Sequence, residues 1–111
     1  MNIKELAEKF GLKILTDVYI PDREISGCYS GDLLSDVIAN AKKDNIWITM
    51  QTHLNIVAVA GLKELAAIII VMNRIPDKDT IDKAKEEKII ILGSSLTSYQ
   101  TGGKIFESGI I

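Results

Sequence analysis

Three short apolar runs that alternate with helical patterns constrain the fold of this chain more than any other feature. The run 67–72 reads AIIIVM, with no polar side on either face, which is typical of a central strand in a parallel sheet. The runs 46–50 (IWITM) and 89–92 (IIIL) share its β-branched character. Strands that alternate with helices predict a three-layer α/β/α domain with a mainly parallel sheet.

Helical spacing of apolar residues, together with capping residues, places the helices around these strands. The predicted helices span 3–10, 32–41, Thr52 to about 64, 77–88 and 98–107, and two more short strands are expected at 12–16 and 24–29. Thr52 is the expected N-cap of the third helix, and Asp77 and Ser94 or Ser95 are further expected caps. The expected buried face of helix 32–41 consists of Leu33, Leu34, Val37, Ile38 and Ala41.

Length and composition indicate one globular domain over residues 1–111, because no linker or low-complexity run divides the 111 residues. The formal charge of −2 offers no basic face for nucleic acid. With one Cys and one His, the chain cannot form an internal disulfide or a multi-cysteine metal site, and we expect neither a metal nor a cofactor.

The most apolar window, 54–72, approaches the length of a membrane span, but Lys63 and Glu64 interrupt it. Each charge would cost about 2.5 kcal/mol or more inside a bilayer. The amphipathic N-terminus also lacks the apolar core of a signal peptide. We therefore expect a cytoplasmic protein without membrane contact.

Polar residues follow the predicted strands, at the sheet edge where ligands of parallel α/β sheets usually bind. The candidate contacts there are Gln51, Thr52, His53, Asn55, Ser94 and Ser95. The alternative is that these residues are ordinary caps and turns. At a helix N-terminus the dipole disfavours a charged His53, and no local motif supplies a Ser or Cys nucleophile. Structural or ligand-orienting roles for His53 are therefore favoured over catalysis.

The stretch 21–34 (PDREISGCYSGDLL) has two glycines but does not form a phosphate loop, since no lysine follows them. Asp32 at the start of the predicted helix would also repel a phosphate. Asp22 and Arg23 remain candidate ligand or interface residues. For Arg23 the open alternatives are a solvated turn residue or an ion pair with Glu24, Asp32 or a neighbouring subunit.

Two features suggest self-association. The helix around 54–60 is apolar on nearly every side and needs cover all round. Gly102 and Gly103 lie in a helical pattern, where each costs about 1 kcal/mol relative to Ala, which close packing against another helix could offset. Alternatively, the last helix begins at Lys104, or both glycines pack inside the monomer.

The runs 22–37 (DREISGCYSGDLLSDV) and 48–60 (ITMQTHLNIVAVA) resemble the core of a DRTGG domain, and 66–72, Pro76-Asp77 and the helix at 84–87 continue the match. The resemblance covers nearly the whole chain, with Asp22 and Arg23 at the start of the family pattern. DRTGG domains are similar to the N-terminal domain of HPr kinase/phosphorylase. They also occur beside CBS domains in some pyrophosphatases and at the front of some phosphotransacetylases. The resemblance implies an α/β/α domain that associates with itself and tunes a neighbouring activity, with no catalytic residues.

These observations together predict a non-catalytic regulatory module. We expect a homodimer that senses a small, nucleotide-like molecule and acts on a partner enzyme. One alternative is a small enzyme with His53 as acid or base and Arg23 or Arg74 holding an anion. Another is an obligate subunit of a larger complex, in which the apolar helix contacts a different protein.

Overall fold

A five-stranded sheet forms the centre of the protein, and the computed structural model describes all residues, 1–111. The elements in chain order are α1 (Ile3–Phe10), β1 (Lys13–Ile14), β2 (Gly27–Ser30), α2 (Leu34–Asn40), β3 (Asn45–Thr49), α3 (Asn55–Leu62), β4 (Ala67–Ile70), α4 (Lys78–Glu86), β5 (Ile91–Gly93) and α5 (Ser98–Glu107). The strand order is β1-β5-β4-β3-β2. Only the pairing of β1 with β5 is antiparallel. The predicted mainly parallel α/β sheet is confirmed.

Two hydrophobic clusters cover the two faces of the sheet, because successive side chains of a strand point to opposite sides. Ile46 and Ile48 of β3 belong to the cluster that includes residues of α1 and α5. Trp47, between them, belongs to the cluster formed with α2, α3 and α4. The indole of Trp47 is fully buried and donates a hydrogen bond to the Gly31 carbonyl at 2.8 Å. The helices thus form two separate layers.

The strand predicted at 12–16 is shorter than expected, because a side chain interrupts the ladder. Only Lys13–Ile14 pairs as a strand. The Leu15 amide still donates to the Ile91 carbonyl at 2.8 Å, but the next partner of β5 is the buried Thr16 hydroxyl, which accepts from the Ile91 amide at 3.0 Å. Thr16 therefore replaces a backbone acceptor and ends the strand.

Helix α2 buries less of its apolar face than the spacing predicts. Leu33 precedes the helix as its N-cap, makes no capping hydrogen bond, and is 68% exposed. Ile38 is also exposed, whereas Val37 and Ala41 are buried. The expected burial of Leu33 and Ile38 was wrong; Leu33 lies ahead of the helix, which begins only at Leu34.

The predicted cap Thr52 was wrong, because tertiary contacts use this residue differently. Helix α3 begins at Asn55 with Leu54 at the N-cap position. Thr52 is buried, and its carbonyl accepts from the Thr80 hydroxyl at 2.9 Å and from the Asp77 amide at 3.1 Å.

Helix α5 begins where the spacing predicts, but its cap is neither Ser94 nor Ser95. Thr97 occupies the N-cap position and forms a reciprocal capping box with Gln100. Gly102 and Gly103 both lie inside this helix, which rules out a start at Lys104.

None of the helices has the length and apolar character that crossing a bilayer requires.

Candidate functional site

The candidate residues do not form one site, because the sheet separates them. Arg23 reaches the ends of two loops that lead into strands: its Nε bonds to the Asp44 carboxylate, next to the start of β3, and its Nη2 donates to the Glu64 carbonyl at 2.7 Å. Glu64 lies just ahead of β4. Asp22 and Arg23 therefore belong to the amino edge of the parallel strands. Gln51, Thr52, His53, Ser94 and Ser95 follow strands and lie at the carboxyl edge.

Arg23 stabilises two turns that have an unfavourable backbone conformation. Asp44 and Glu64 both have positive φ, at 67° and 52°, in the left-handed region that costs non-glycine residues energy. The guanidinium joins the side chain of one turn to the carbonyl of the other. The expected partners Glu24 and Asp32 were wrong, as was the solvated alternative.

Asp22 has a structural partner as well. Its Oδ1 accepts a hydrogen bond from the side-chain amide of Asn2 at 2.9 Å, which fixes this segment to the start of α1. The Asp22-Arg23 pair thus fastens the chain before β2 to three other segments. Nε and Nη2 of Arg23 and Oδ1 of Asp22 are all engaged within the chain.

At the carboxyl edge, Asp32 points back to the sheet. Its Oδ1 accepts from the Thr49 hydroxyl at 2.8 Å and from the Met50 amide at 2.7 Å. The Gln51 side-chain amide in turn donates to the Asp32 carbonyl at 2.9 Å. Asp32 and Gln51 thus clamp the loop after β2 to the loop after β3. The expectation that Asp32 starts the helix was wrong, since α2 begins at Leu34 and the Asp32 carboxylate accepts from Thr49 and Met50 at the end of β3.

His53 and Asp77 form a pair on the surface of the same edge. His53 Nδ1 lies 2.8 Å from Asp77 Oδ2, and the histidine side chain is 70% exposed. The contact joins the β3–α3 loop to the start of α4, where Asp77 holds the N-cap position without capping the helix through its side chain. The arrangement orients the imidazole and leaves Nε2 facing away from the carboxylate.

An oriented imidazole needs a nucleophile to act as a general base in acyl transfer. The one thiol of the chain belongs to Cys28, which lies on β2. Burial raises the pKa of the Cys28 thiol to about 12. Because the thiolate is the reactive species, this thiol stays protonated and unreactive at neutral pH.

Ser94 has a structural role, whereas Ser95 is exposed. The buried Ser94 hydroxyl lies 2.9 Å from the Thr101 hydroxyl and accepts from the Leu96 amide at 3.2 Å. These contacts connect the end of β5 with α5.

The sequence did not reveal an unusual turn at the same edge. Met72 and Asn73 have consecutive positive φ values of 60° and 54°. Their amides donate to the Leu96 and Ser94 carbonyls, both at 2.9 Å. Asn73 is a residue type that tolerates this conformation, but Met72 gives no such signal. The turn is held by the loop that follows β5.

A cleft of about 590 Å³ opens between α3 and α4. Its walls are Leu54, Val57, Ala58, Gly61 and Ile89, with Asn55, Lys83 and Glu87 as the polar groups. The volume lies within the usual range of small-molecule sites, which are mostly apolar with a few polar groups. Of the residues predicted to contact a ligand, only Asn55 lines this cleft.

Lys83 carries the positive charge of the cleft. Its Nζ lies 3.2 Å from a Glu87 carboxylate oxygen and 3.6 Å from one of Glu86. The hydrogen bond to Glu87, together with the charges of both glutamates, raises the pKa of Lys83, and therefore this ammonium group stays charged through the neutral range. The apolar residues on all sides of α3 predicted that its outer side makes a contact. They did not predict that this side forms one wall of a cleft.

No protein-family model matches the sequence, and no curated protein matches it. Among solved structures, the chain is similar to the CBS and DRTGG domains of the regulatory region of Clostridium perfringens pyrophosphatase, solved in complex with its activator, diadenosine tetraphosphate. The TM-score is 0.75 at 13% sequence identity, and the match covers 96% of this chain and 46% of that chain. The protein therefore spans about half the length of that region and shares the α/β fold found in it.

Proposed function

We propose that this protein is a regulatory module that binds a nucleotide-like small molecule, associates with itself and thereby changes the activity of a partner enzyme. The observation that carries the proposal is the backbone match. Nearly the whole chain, 96%, superposes on a regulatory region that was solved with a nucleotide activator bound. The resemblance of 22–37 and 48–60 to a DRTGG domain supports the same class of function.

The ligand binds in the cleft between α3 and α4. The apolar walls formed by Val57, Ala58 and Ile89 suit the faces of a flat ring. Asn55 offers an amide that can both donate to and accept from the edge of a base. The charge of Lys83 is largely balanced by Glu86 and Glu87, so that recognition rests on the ring more than on a phosphate.

A ligand regulates only if it binds two states of the protein with different affinity. The cleft meets this requirement through its position, since it is shared by two helices that contact each other across it. A ligand in the cleft touches both α3 and α4. It therefore favours the arrangement in which the two helices lie close enough to contact it together. A partner enzyme that contacts these helices would sense that shift.

A regulatory role is favoured over the small-enzyme alternative by the local chemistry. Arg23 is committed to Asp44 and Glu64, and the Cys28 thiol is protonated. The His53–Asp77 pair lies outside the cleft, whose lining includes neither residue. Arg23, one of the two anion-binding candidates of that alternative, lies at the opposite edge of the sheet from His53.

The experiment is a thermal-shift titration with AMP, ADP, ATP and diadenosine tetraphosphate. A ligand at a hundred times its Kd stabilises the native state by about 2.7 kcal/mol. For a domain of this size that raises Tm by roughly 10 °C. Gly61→Gln, which fills the cleft from a position where a Cβ meets no atom within 4 Å, should abolish the shift.

Two outcomes would contradict the proposal separately. If none of the four nucleotides raises Tm at millimolar concentration, nucleotide sensing is wrong. If a nucleotide raises Tm equally in the wild type and in Gly61→Gln, the protein binds it somewhere other than the α3–α4 cleft.

A further inference from the structure

The outward side of α5 carries two exposed aromatic rings with glycines between them. Tyr99 is 90% exposed and Phe106 is 65% exposed. Tyr99, Gly102, Gly103 and Phe106 are spaced by three and four residues, so they lie on one side of the helix. These four residues are called the α5 face below.

Gly103 has no role within the monomer that requires a glycine. A Cβ added there would meet no atom within 4 Å, and its φ is not in the left-handed region. At Gly102 the nearest contact would be the Ile48 Cδ1 atom at 3.8 Å, an ordinary packing distance. Glycine is a poor helix former, and its benefit is that it lets another backbone approach closely.

The surface around the α5 face is concave and continues to the edge of the sheet. A cavity of about 720 Å³ lies along α5, and a second of about 180 Å³ lies between α5 and β2. Both are lined by Ser30, Gly102 and Phe106. Ile111, 78% exposed, borders the second cavity. The exposed aromatic rings thus form part of one extended surface.

We propose that a second copy of this chain packs on the α5 face, with the two α5 helices antiparallel around a two-fold axis at Gly102 and Gly103. The inference rests on the self-association part of the proposed function and names its surface. Tyr99 lies three residues before Gly102, and Phe106 lies three residues after Gly103.

A two-fold axis between the glycines therefore places Tyr99 of one protomer against Phe106 of the other, twice. Such self-complementarity is what an isologous dimer requires, and paired aromatic rings stabilise a contact beyond the area that they bury. A different partner protein would have no need of this symmetry in the spacing.

Pairing of two copies through the free edge of β2 is disfavoured by charge. Lys42 and Lys43 line the cavity of about 510 Å³ that runs along this edge strand, and of the two Lys43 is paired with Glu64 at 3.4 Å. Lysines at a sheet edge repel a second copy of the same edge. The α5 face has no comparable cluster of one charge, since Lys104 and Glu107 both line its cavity.

The area involved indicates a weak dimer. The exposed parts of the four rings would bury about 600 Å² in total, given 150–250 Å² for a whole aromatic side chain. Specific interfaces below about 1,200 Å² are generally transient. With the flanking cavity walls added, we expect a dissociation constant on the order of 10 μM.

The test is sedimentation equilibrium of the full chain over concentrations from about 1 to about 200 μM, which bracket that constant. The wild type should pass from monomer to dimer in this range. Gly103→Gln introduces a good helix former at a position with free space, so the fold should remain stable while the dissociation constant rises at least tenfold.

Gly61→Gln is the matched control, because Gly61 is the other helical glycine whose added Cβ meets nothing within 4 Å, and it lies on α3. This variant should dimerise like the wild type. Tyr99→Asp is a second test, since a side chain that is 90% exposed can change without disturbing the core. It should also raise the dissociation constant at least tenfold.

The outcomes separate this inference from the function. A wild type that stays monomeric throughout the range overturns both the α5 dimer and self-association, while a nucleotide-induced shift in Tm would still support ligand sensing. A wild-type dimer that survives both Gly103→Gln and Tyr99→Asp overturns the α5 face alone.

Discussion

Ser94 and Thr101 share a buried hydrogen bond of 2.9 Å between their hydroxyl oxygens, which ties the end of β5 to the first turns of α5. Both residues are less than 5% exposed. The bond is the one side-chain to side-chain hydrogen bond in the protein whose two residues are both buried, and it fixes how α5 leaves the sheet.

The losses from replacing the two partners of this bond should not add. Ser94→Ala leaves the buried Thr101 hydroxyl without its hydroxyl partner, and Thr101→Val leaves the Ser94 hydroxyl with the Leu96 amide as its remaining partner. Each should lower the free energy of unfolding by about 1–3 kcal/mol. The double variant should lose clearly less than the sum of the two. Urea denaturation measures all three, and additive losses would mean that the hydroxyls act independently.

Arg23→Ala should destabilise the fold, because it removes the contact that holds the left-handed turns at Asp44 and Glu64. We expect a loss of about 2 kcal/mol, the usual size for hydrogen bonds to a charged group. Arg23→Lys should recover only part of it, since an ammonium group cannot reach both partners as a planar fork does. Chemical denaturation of both variants measures the losses.

The control for this prediction is Arg74→Ala. Arg74 is exposed and takes part in none of the side-chain hydrogen bonds or ion pairs of the protein. Its replacement should change the free energy of unfolding by less than about 0.5 kcal/mol. Equal effects at the two arginines would contradict the structural role of Arg23.

The Cys28 thiol should react slowly in the native protein. A pKa of about 12, against 9.0 for an ordinary thiol, lowers the thiolate fraction at pH 8 by a large factor. Ellman's reagent should therefore modify the native chain at least about a hundredfold more slowly than the chain in urea, since the thiolate is the reacting species. Equal rates would show that Cys28 is accessible and ionises normally.

The same pKa has a consequence for stability at high pH. Because the folded state favours the neutral thiol, Cys28 contributes stability that is fully present below pH 9 and is lost as the pH rises toward 12. Cys28→Ala should remove this part of the alkaline loss. Thermal melts of the wild type and the variant between pH 8 and about 11 would show a difference in Tm between the two proteins that becomes smaller as the pH rises.

His53→Ala tests the enzyme alternative directly. The His53–Asp77 pair is exposed, so its loss should lower the free energy of unfolding by less than about 1 kcal/mol. The nucleotide-induced shift in Tm should not change, because neither residue lines the α3–α4 cleft. A shift that disappears in this variant would move the binding site to the carboxyl edge of the sheet.

The order of strands and helices could be predicted from the sequence because it follows from the local spacing of apolar residues. The run 67–72 is apolar on both faces, and the structure places β4 between two parallel neighbours. Helix α5 has the predicted bounds, although its cap is Thr97 and not Ser94 or Ser95. Element identity follows from such periodicity, whereas element ends depend on partners elsewhere in the fold.

The candidate site was predicted less well, because its contacts join distant parts of the chain. Arg23 meets Asp44 and Glu64 across 21 and 41 residues, which no local pattern indicates. Thr52 has the right chemistry for a cap, but Thr80 and Asp77 use its carbonyl instead. The α3–α4 cleft could not be read from the helix alone, since Lys83 and Glu87 come from the next helix.

The complete burial of Trp47, the one tryptophan of the chain, has a practical consequence for every experiment above. Its indole lies on β3, its N–H donates to the Gly31 carbonyl, and α2, α3 and α4 shield it from water. Its emission maximum should be blue-shifted in the native protein and should move to longer wavelength only when the sheet unfolds. Tryptophan emission therefore reports global unfolding and should not change when a second copy binds at the α5 face.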